Sequence, residues 1–358
     1  MSSIYNFNAG PSILPREVLE EAQRDLLDFQ SSGISILESS HRGEAYEGVH
    51  MEAIQNIAEL CGLTDEYAVL LLQGGATGQF AWIPMNLLGP NDVADYVNTG
   101  SWAAKAIEQA SCLGNVHVAA DSTSECPARV PTAEELNFSP NAAYLHLTSN
   151  ETIGGTQWPT YPVCDAPIVV DMSSDILSRP VDYTAFDLVY AGAQKNLGIA
   201  GVSIVIIRKA LADRAPDTLP GVLRYRDHIQ ANSLLHTAPC FSVYITLLVT
   251  RWLKATGIER VYQNNHDKAS RLYGMIDSTD FYRGPAATHC RSKMNVTFSL
   301  ANEALESEFL DKASRQGMLG LKGHRSVGGI RASIYNAFPV DGVDALVSFM
   351  KDFENSHS

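Results

Sequence analysis

The chain predicts an α/β domain on a largely parallel sheet, followed by a smaller α+β domain. Three observations carry this. Short, wholly apolar and β-branched runs recur between amphipathic stretches, as strands buried on both faces require. Gly-containing turns separate them. From about Ser242 the regular alternation gives way to long helical periodicity and then to mixed strands and helices.

Taken in order, "YAVLLLQGG" (67–75) is a strand ending in a glycine turn, and "TGQFAWIPMNLL" (77–88) a helix stopped by "GPND". "DVADYVNTGS" is the next strand and turn, and "SWAAKAIEQASCLG" the next helix, closed by Gly114. "VHVAA", "AAYLHLTSNE", "PIVVDMSS", "DLVYAGAQ" and "GVSIVIIRK" follow as strands. "SVYITLLVTRWLKATG" (242–257) and "GIERVYQNNHDKASRLYGMID" are long amphipathic helices. The strands "NVTFSL" and "GIRASIYN" and the helices "EALESEFLDKASRQG" and "DGVDALVSFMKDFEN" complete the smaller domain.

Composition bounds the function. The 358 residues are 45% hydrophobic and 18% charged, with a formal net charge of −14. Such an acidic surface has no general attraction for nucleic acid or anionic membrane, so any anionic ligand needs a local Arg/Lys cluster. Six cysteines are scattered without a C-x-x-C pair, which excludes common zinc and thioredoxin frameworks, and no metal site is expected. "MSSIYNFNAGPS" has neither a basic n-region nor an apolar h-region, and no apolar run can span a bilayer. A soluble, cytoplasmic protein of small-molecule chemistry is the expectation.

In a parallel sheet, ligands bind beyond the C-terminal strand ends. The polar residues there are Gly74, Gly75, Ala76 and Thr77; Thr99, Gly100, Ser101 and Trp102; Ser149, Asn150, Glu151 and Thr152; Asp171, Met172 and Ser173; then Gln194 and Lys195. "QGGATGQF" is either a plain strand–helix turn or a phosphate cradle of helix-start amides; it is neither G-x-G-x-x-G nor Walker A. Asp171 alone is an N-cap, and Lys195 alone a snorkelling surface lysine. Together they suit pyridoxal phosphate (PLP): a desolvated lysine forms a Schiff base with an aldehyde, and a carboxylate keeps a pyridine nitrogen protonated. Trp102 is either a core residue or a flat face for that ring.

"DMSSDILSRPVDYTAFDLVYAGAQKNLGIAGVSIVIIRK" (171–209) closely resembles the PLP segment of the phosphoserine aminotransferase family, fold-type-I enzymes of class V. "NFNAGPSILPREVL", "SHRGEAYEGV" (40–49) and "GHRSVGGIRASIYNAFP" (323–339) resemble the same family. The resemblance implies a large PLP-binding domain (16–257) with a mostly parallel seven-stranded sheet. A small domain would combine 1–15 with 258–358. It implies a homodimer with shared active sites that interconverts 3-phosphohydroxypyruvate plus L-glutamate and O-phospho-L-serine plus 2-oxoglutarate. Formation of 4-phosphohydroxy-L-threonine for pyridoxine biosynthesis is a second implied activity.

Carried over by position, Lys195 binds the coenzyme aldehyde and moves the proton, and Asp171 pairs with the ring nitrogen. Trp102 stacks on the ring and Thr152 meets its phenolic oxygen. Ala76, Thr77 and Gln194 hold the phosphate, joined by His236 and Thr237 of the partner subunit. His236 and "GGAT" depart from the family's usual Asn and Gly-Gly-Gly-Arg. Arg331 takes the substrate α-carboxylate; His324 and Arg325, with the partner subunit's His41 and Arg42, take the distal phosphate or carboxylate, as planar guanidinium forks suit. The alternatives are a cysteine desulfurase or lyase on the same fold, with Cys290 its most basic-flanked thiol, a dehydrogenase, and a non-catalytic descendant.

Overall fold

The computed structural model describes residues 4–357; the outermost residues of the expected small domain, 1–3 and 358, lie outside it. Seven strands build the central sheet: Tyr67–Leu72 (β1), Val93–Asn98 (β2), Asn115–Asp121 (β3), Leu145–Thr148 (β4), Ile168–Asp171 (β5), Leu188–Gly192 (β6) and Ser203–Arg208 (β7). Their order is β1-β7-β6-β5-β4-β2-β3. The pairs β2/β3, β2/β4, β4/β5 and β5/β6 are parallel, and only β7 runs antiparallel to its neighbours β6 and β1. The expected mostly parallel seven-stranded sheet is therefore present.

Alternation along the strands separates two cores. Val69, Leu71, Val170, Val189, Ile204 and Ile206 face one cluster, into which the helices Glu44–Leu60 and Cys240–Thr256 also pack. Leu70, Leu72, Val169, Tyr190, Val205 and Ile207 face the other, covered by the helix Gly75–Leu87 through Phe80 and Ile83. Covering both faces explains why these strands carry unbroken apolar runs.

A third cluster lies apart, around Leu272, Phe298, Phe309, Leu346 and Phe353. Its three-stranded antiparallel sheet is Tyr282–Arg283 (β8), Asn295–Leu300 (β9) and Ile330–Ser333 (β10), in that order. Phe7 of the N-terminal segment belongs to this cluster. The helix Cys240–Thr256 serves the large sheet while the next helix, Ile258–Asp277, serves the third cluster. Gly257 joins them at φ +82°, a conformation that favours glycine.

Candidate active site

All parallel strands end on one edge, so the β1, β2, β4, β5 and β6 ends converge there. β7 returns antiparallel from the same edge, which leaves Lys195 in the β6–β7 turn. The N-terminal segment closes over that turn: the Ser12 amide donates to the Gln194 carbonyl at 2.9 Å, and the Ser12 hydroxyl to the Lys195 carbonyl.

Lys195 is half-buried. Burial pushes its pKa below the ordinary lysine value; Asp171 and Glu151 oppose that, and Arg331 adds to it. Asp171 is 5% exposed, and its Oδ1 accepts from the Ser173 amide at 2.8 Å. Burial raises its carboxyl above the usual range, with the Lys195 charge pulling the other way. A buried carboxylate of this kind requires a cationic partner. Lys195 Nζ also stands 5.6 Å from the centroid of Trp102.

Trp102 begins the helix Ser101–Ser111 and is fixed at both ends. Its Nε1–H donates to Thr152 Oγ1 at 2.9 Å, and its amide and that of Ala103 donate to Glu151 at 3.3 and 3.0 Å. Glu151 is buried, and its carboxyl is pushed up to about 7 mainly by burial. It packs so closely that a Cβ on Gly100 would lie 2.7 Å from its Cδ, so position 100 needs glycine. Glu151 stood among the strand-end polar residues of the sequence but had no assigned role. The signal was an acid adjoining Thr152, yet its partners lie some fifty residues earlier.

The glycine turn opens a helix without a side-chain cap. Gly74 (φ +94°) and Gly75 (φ +66°) begin this helix, Gly75–Leu87, so the amides near Ala76 and Thr77 lack a side-chain partner. Gln194 sits on the β6–β7 turn, folded so that a Cβ on Gly192 would meet its Oε1 at 2.6 Å. The Gln73 side chain donates to the Thr237 carbonyl at 3.1 Å, which ties segment 236–237 to the same turn within one chain. His236 packs edge-on against His228, and its Nδ1 has no hydrogen-bond partner.

On the small-domain side, Arg331 projects from β10, and its Nη1 donates to the Thr152 carbonyl at 3.2 Å. Its Nε is buried and has no hydrogen-bond partner among the described residues. Arg331 shares a cavity of about 640 Å³ with Gly100, Ser101, Thr297 and His324. His324 is pushed below the ordinary histidine range by burial and by Arg331, Lys105 and Arg325. His324 and Arg331 line that cavity, and Lys105 and Arg325 lie close enough to His324 to disfavour its protonation. Lys105, unassigned in the sequence reading, lies 4.2 Å over Trp102. His41 and Arg42 are elsewhere: His41 lines a separate cleft with Thr237, and Arg42 Nε contacts its ring at 3.3 Å. Cys290 is 2% exposed, and burial raises its thiol pKa, unlike a reactive nucleophile. Among the described residues no helix is long and apolar enough to cross a membrane.

The family described as Aminotransferase class-V matches residues 4–346. The phosphoserine aminotransferase of Herpetosiphon aurantiacus is 51% identical over 354 residues, covering 98% of both chains. The solved phosphoserine aminotransferase of Bacillus circulans subsp. alkalophilus superposes with a TM-score of 0.96 at 50% identity, over 99% of each chain. A structure of radiation damage of the Schiff base in phosphoserine aminotransferase gives a TM-score of 0.97 at 47% identity, again over 99% of each.

Proposed function

The chain belongs to the class-V aminotransferases and, within them, to the phosphoserine aminotransferases, and from this premise we propose how its own residues carry that reaction. It is a PLP-dependent transaminase that interconverts 3-phosphohydroxypyruvate plus L-glutamate and O-phospho-L-serine plus 2-oxoglutarate, in serine biosynthesis. The observation that carries the assignment of roles is one juxtaposition: a half-buried lysine beside a buried aspartate, with an arginine whose buried Nε has no hydrogen-bond partner among the described residues.

Several features fit the coenzyme. Asp171 is a buried carboxylate that feels the Lys195 charge and accepts a hydrogen bond from the Ser173 amide, and a protonated ring nitrogen would give it a directly bonded cation. The uncapped helix start at Gly75 offers amides to a phosphate. Lys195, Asp171, Trp102, Thr152, Ala76, Thr77 and Gln194 would hold PLP, which when bound supplies an electron sink conjugated to the substrate Cα.

The protein's part is then acid–base and positional. Lys195, its pKa lowered by burial, holds an amine that takes and returns the Cα proton. Asp171 would supply the negative charge that keeps a ring nitrogen bound beside it protonated. Arg331 binds the α-carboxylate through its guanidinium fork, which orients the Cα–H bond toward Lys195. His324 and Arg325 take the distal anion. The partner subunit's His41 and Arg42 would complete that pocket, and the partner subunit's His236 and Thr237 would complete the phosphate site through their side chains, the Thr237 carbonyl of each chain staying bonded to its own Gln73. The placement of His41 and Thr237 together on a cleft apart from Arg331 supports a homodimer with shared sites. A cytoplasmic location accords with this metabolism.

The purified protein is expected to be yellow, with a band above about 400 nm that borohydride abolishes. It should convert phosphoserine and 2-oxoglutarate to glutamate. A colourless protein that PLP cannot reconstitute refutes the reading; sulfide release from cysteine would instead point to a desulfurase.

A further inference from the structure

Thr152 is 3% exposed, and its hydroxyl engages one protein group, the indole Nε1–H of Trp102 at 2.9 Å. An indole N–H can only donate, whereas a hydroxyl has one donor and two acceptor sites. The direction of this bond is therefore fixed: Thr152 accepts, and its own hydrogen has to point elsewhere. Among the described residues no acceptor takes it. A buried donor left open calls for an acceptor, and beside Lys195 and Trp102 a bound ring can supply one. The residue is held on its other sides as well. Its carbonyl accepts from Arg331 Nη1 at 3.2 Å, and the neighbouring Glu151 grips the Trp102 and Ala103 amides at 3.3 and 3.0 Å. Lys195 Nζ lies 5.6 Å from the same indole ring.

We propose that Trp102 is a positioning residue as well as a stacking surface: its indole N–H locks Thr152 as an obligate hydrogen-bond donor toward an oxygen on the ring of the coenzyme held at Lys195. This rests on the coenzyme reading given above. The consequence is electrostatic. A ring oxygen that receives the Thr152 hydrogen carries less negative charge, so it holds the proton of the adjacent Lys195 linkage less tightly. Trp102 therefore lowers the pH at which that linkage loses its proton, without touching the proton itself.

The test compares wild type, Trp102→Phe, Thr152→Val and the double variant, each reconstituted with PLP. The absorbance of the Lys195 linkage above about 400 nm is titrated against pH. Phenylalanine keeps a flat apolar face, though a smaller one, and removes the donor. Trp102→Phe is expected to raise the linkage pKa by about half to one unit, and Thr152→Val by at least as much. The double variant should shift no further than Thr152→Val alone, because one residue acts through the other. An unchanged pKa in Trp102→Phe, or additive shifts in the double variant, overturns the proposal. Should Trp102→Phe fail to retain PLP, the threonine variants decide. Thr152→Ser with the wild-type pKa and Thr152→Val with a raised one support the proposal; Thr152→Val with the wild-type pKa overturns it. A wild type without any borohydride-sensitive band refutes the coenzyme reading and this proposal with it. A wild type with the band and an unmoved Trp102→Phe refutes this proposal alone.

Discussion

Two lysines have been drawn out of water in different parts of the molecule, and they differ in what their donors face. Lys268, on the helix Ile258–Asp277, is 1% exposed and donates to the carbonyls of Ile334, Tyr335 and Phe338 at 2.9, 2.7 and 3.1 Å. Burial pushes its pKa down to about 7. Lys195 is less buried, yet it sits against two carboxylates and an indole with no hydrogen bond to its ammonium among the described residues. A saturated ammonium fastens a turn; an open one is available to a ligand. Desolvation alone does not distinguish them, because it lowers both pKa values. The hydrogen-bond inventory does.

The largest expected effect breaks the open member of the pair. Lys195→Ala should lower turnover by at least about 10³-fold while the fold stays within roughly 1 kcal/mol of wild type. Single-turnover kinetics and thermal melts measure the two separately. A comparable loss of stability would mean that Lys195 is structural. Lys268→Met should do the reverse. Three buried carbonyls would lose their donors, at a cost of roughly 2–4 kcal/mol, while the coenzyme band is retained. A melt that does not fall by several degrees would show that water replaces the ammonium there.

The contrast also explains what could be read from the chain. Lys195 was legible because an ammonium interrupts two apolar runs at a strand end, where a parallel sheet presents its ligands. Lys268 was not: in "NNHDKASRLYG" a lysine looks like the wet face of an amphipathic helix, and its acceptors lie 66 to 70 residues later. The seven strands were legible from their unbroken apolar runs. The helix Glu44–Leu60 was not singled out, since it is only weakly amphipathic and buries His50 and Asn56 beside its apolar residues. Glu151 was visible as a polar strand-end residue, but its function as the clamp on Trp102 depends on Gly100 leaving space for it, a contact set by the fold. The resemblance placed Arg331 in the site; its open Nε is a fact of packing that no spacing encodes.

That open Nε supports a third, smaller prediction. Arg331→Lys keeps the positive charge and removes the planar fork, so kcat/KM should fall about 10²-fold, near 2.7 kcal/mol, for phosphoserine and glutamate alike. Loss confined to one amino acid would place Arg331 at the distal anion instead of the shared carboxylate.

The smallest effect concerns charge balance around Lys195. Glu151 carries a folded-state pKa raised from 4.5 to about 7, chiefly by burial. Between those values the folded protein holds a proton that the unfolded chain has released. The contribution to stability is therefore fully present below pH 4.5 and is lost as pH rises through about 7. Glu151→Gln is neutral throughout and still offers an oxygen to the amides of Trp102 or Ala103. In the coenzyme-free protein its melting temperature should gain on wild type from pH 5 to pH 8, by an amount corresponding to roughly 1–2 kcal/mol. Asp171 and Lys195 titrate in both proteins, so their pH dependence cancels to first order in the difference. Parallel melting curves would mean that the helix-start amides hold Glu151 ionised over the whole range, and that the cluster around Lys195 is charged by two carboxylates at neutral pH.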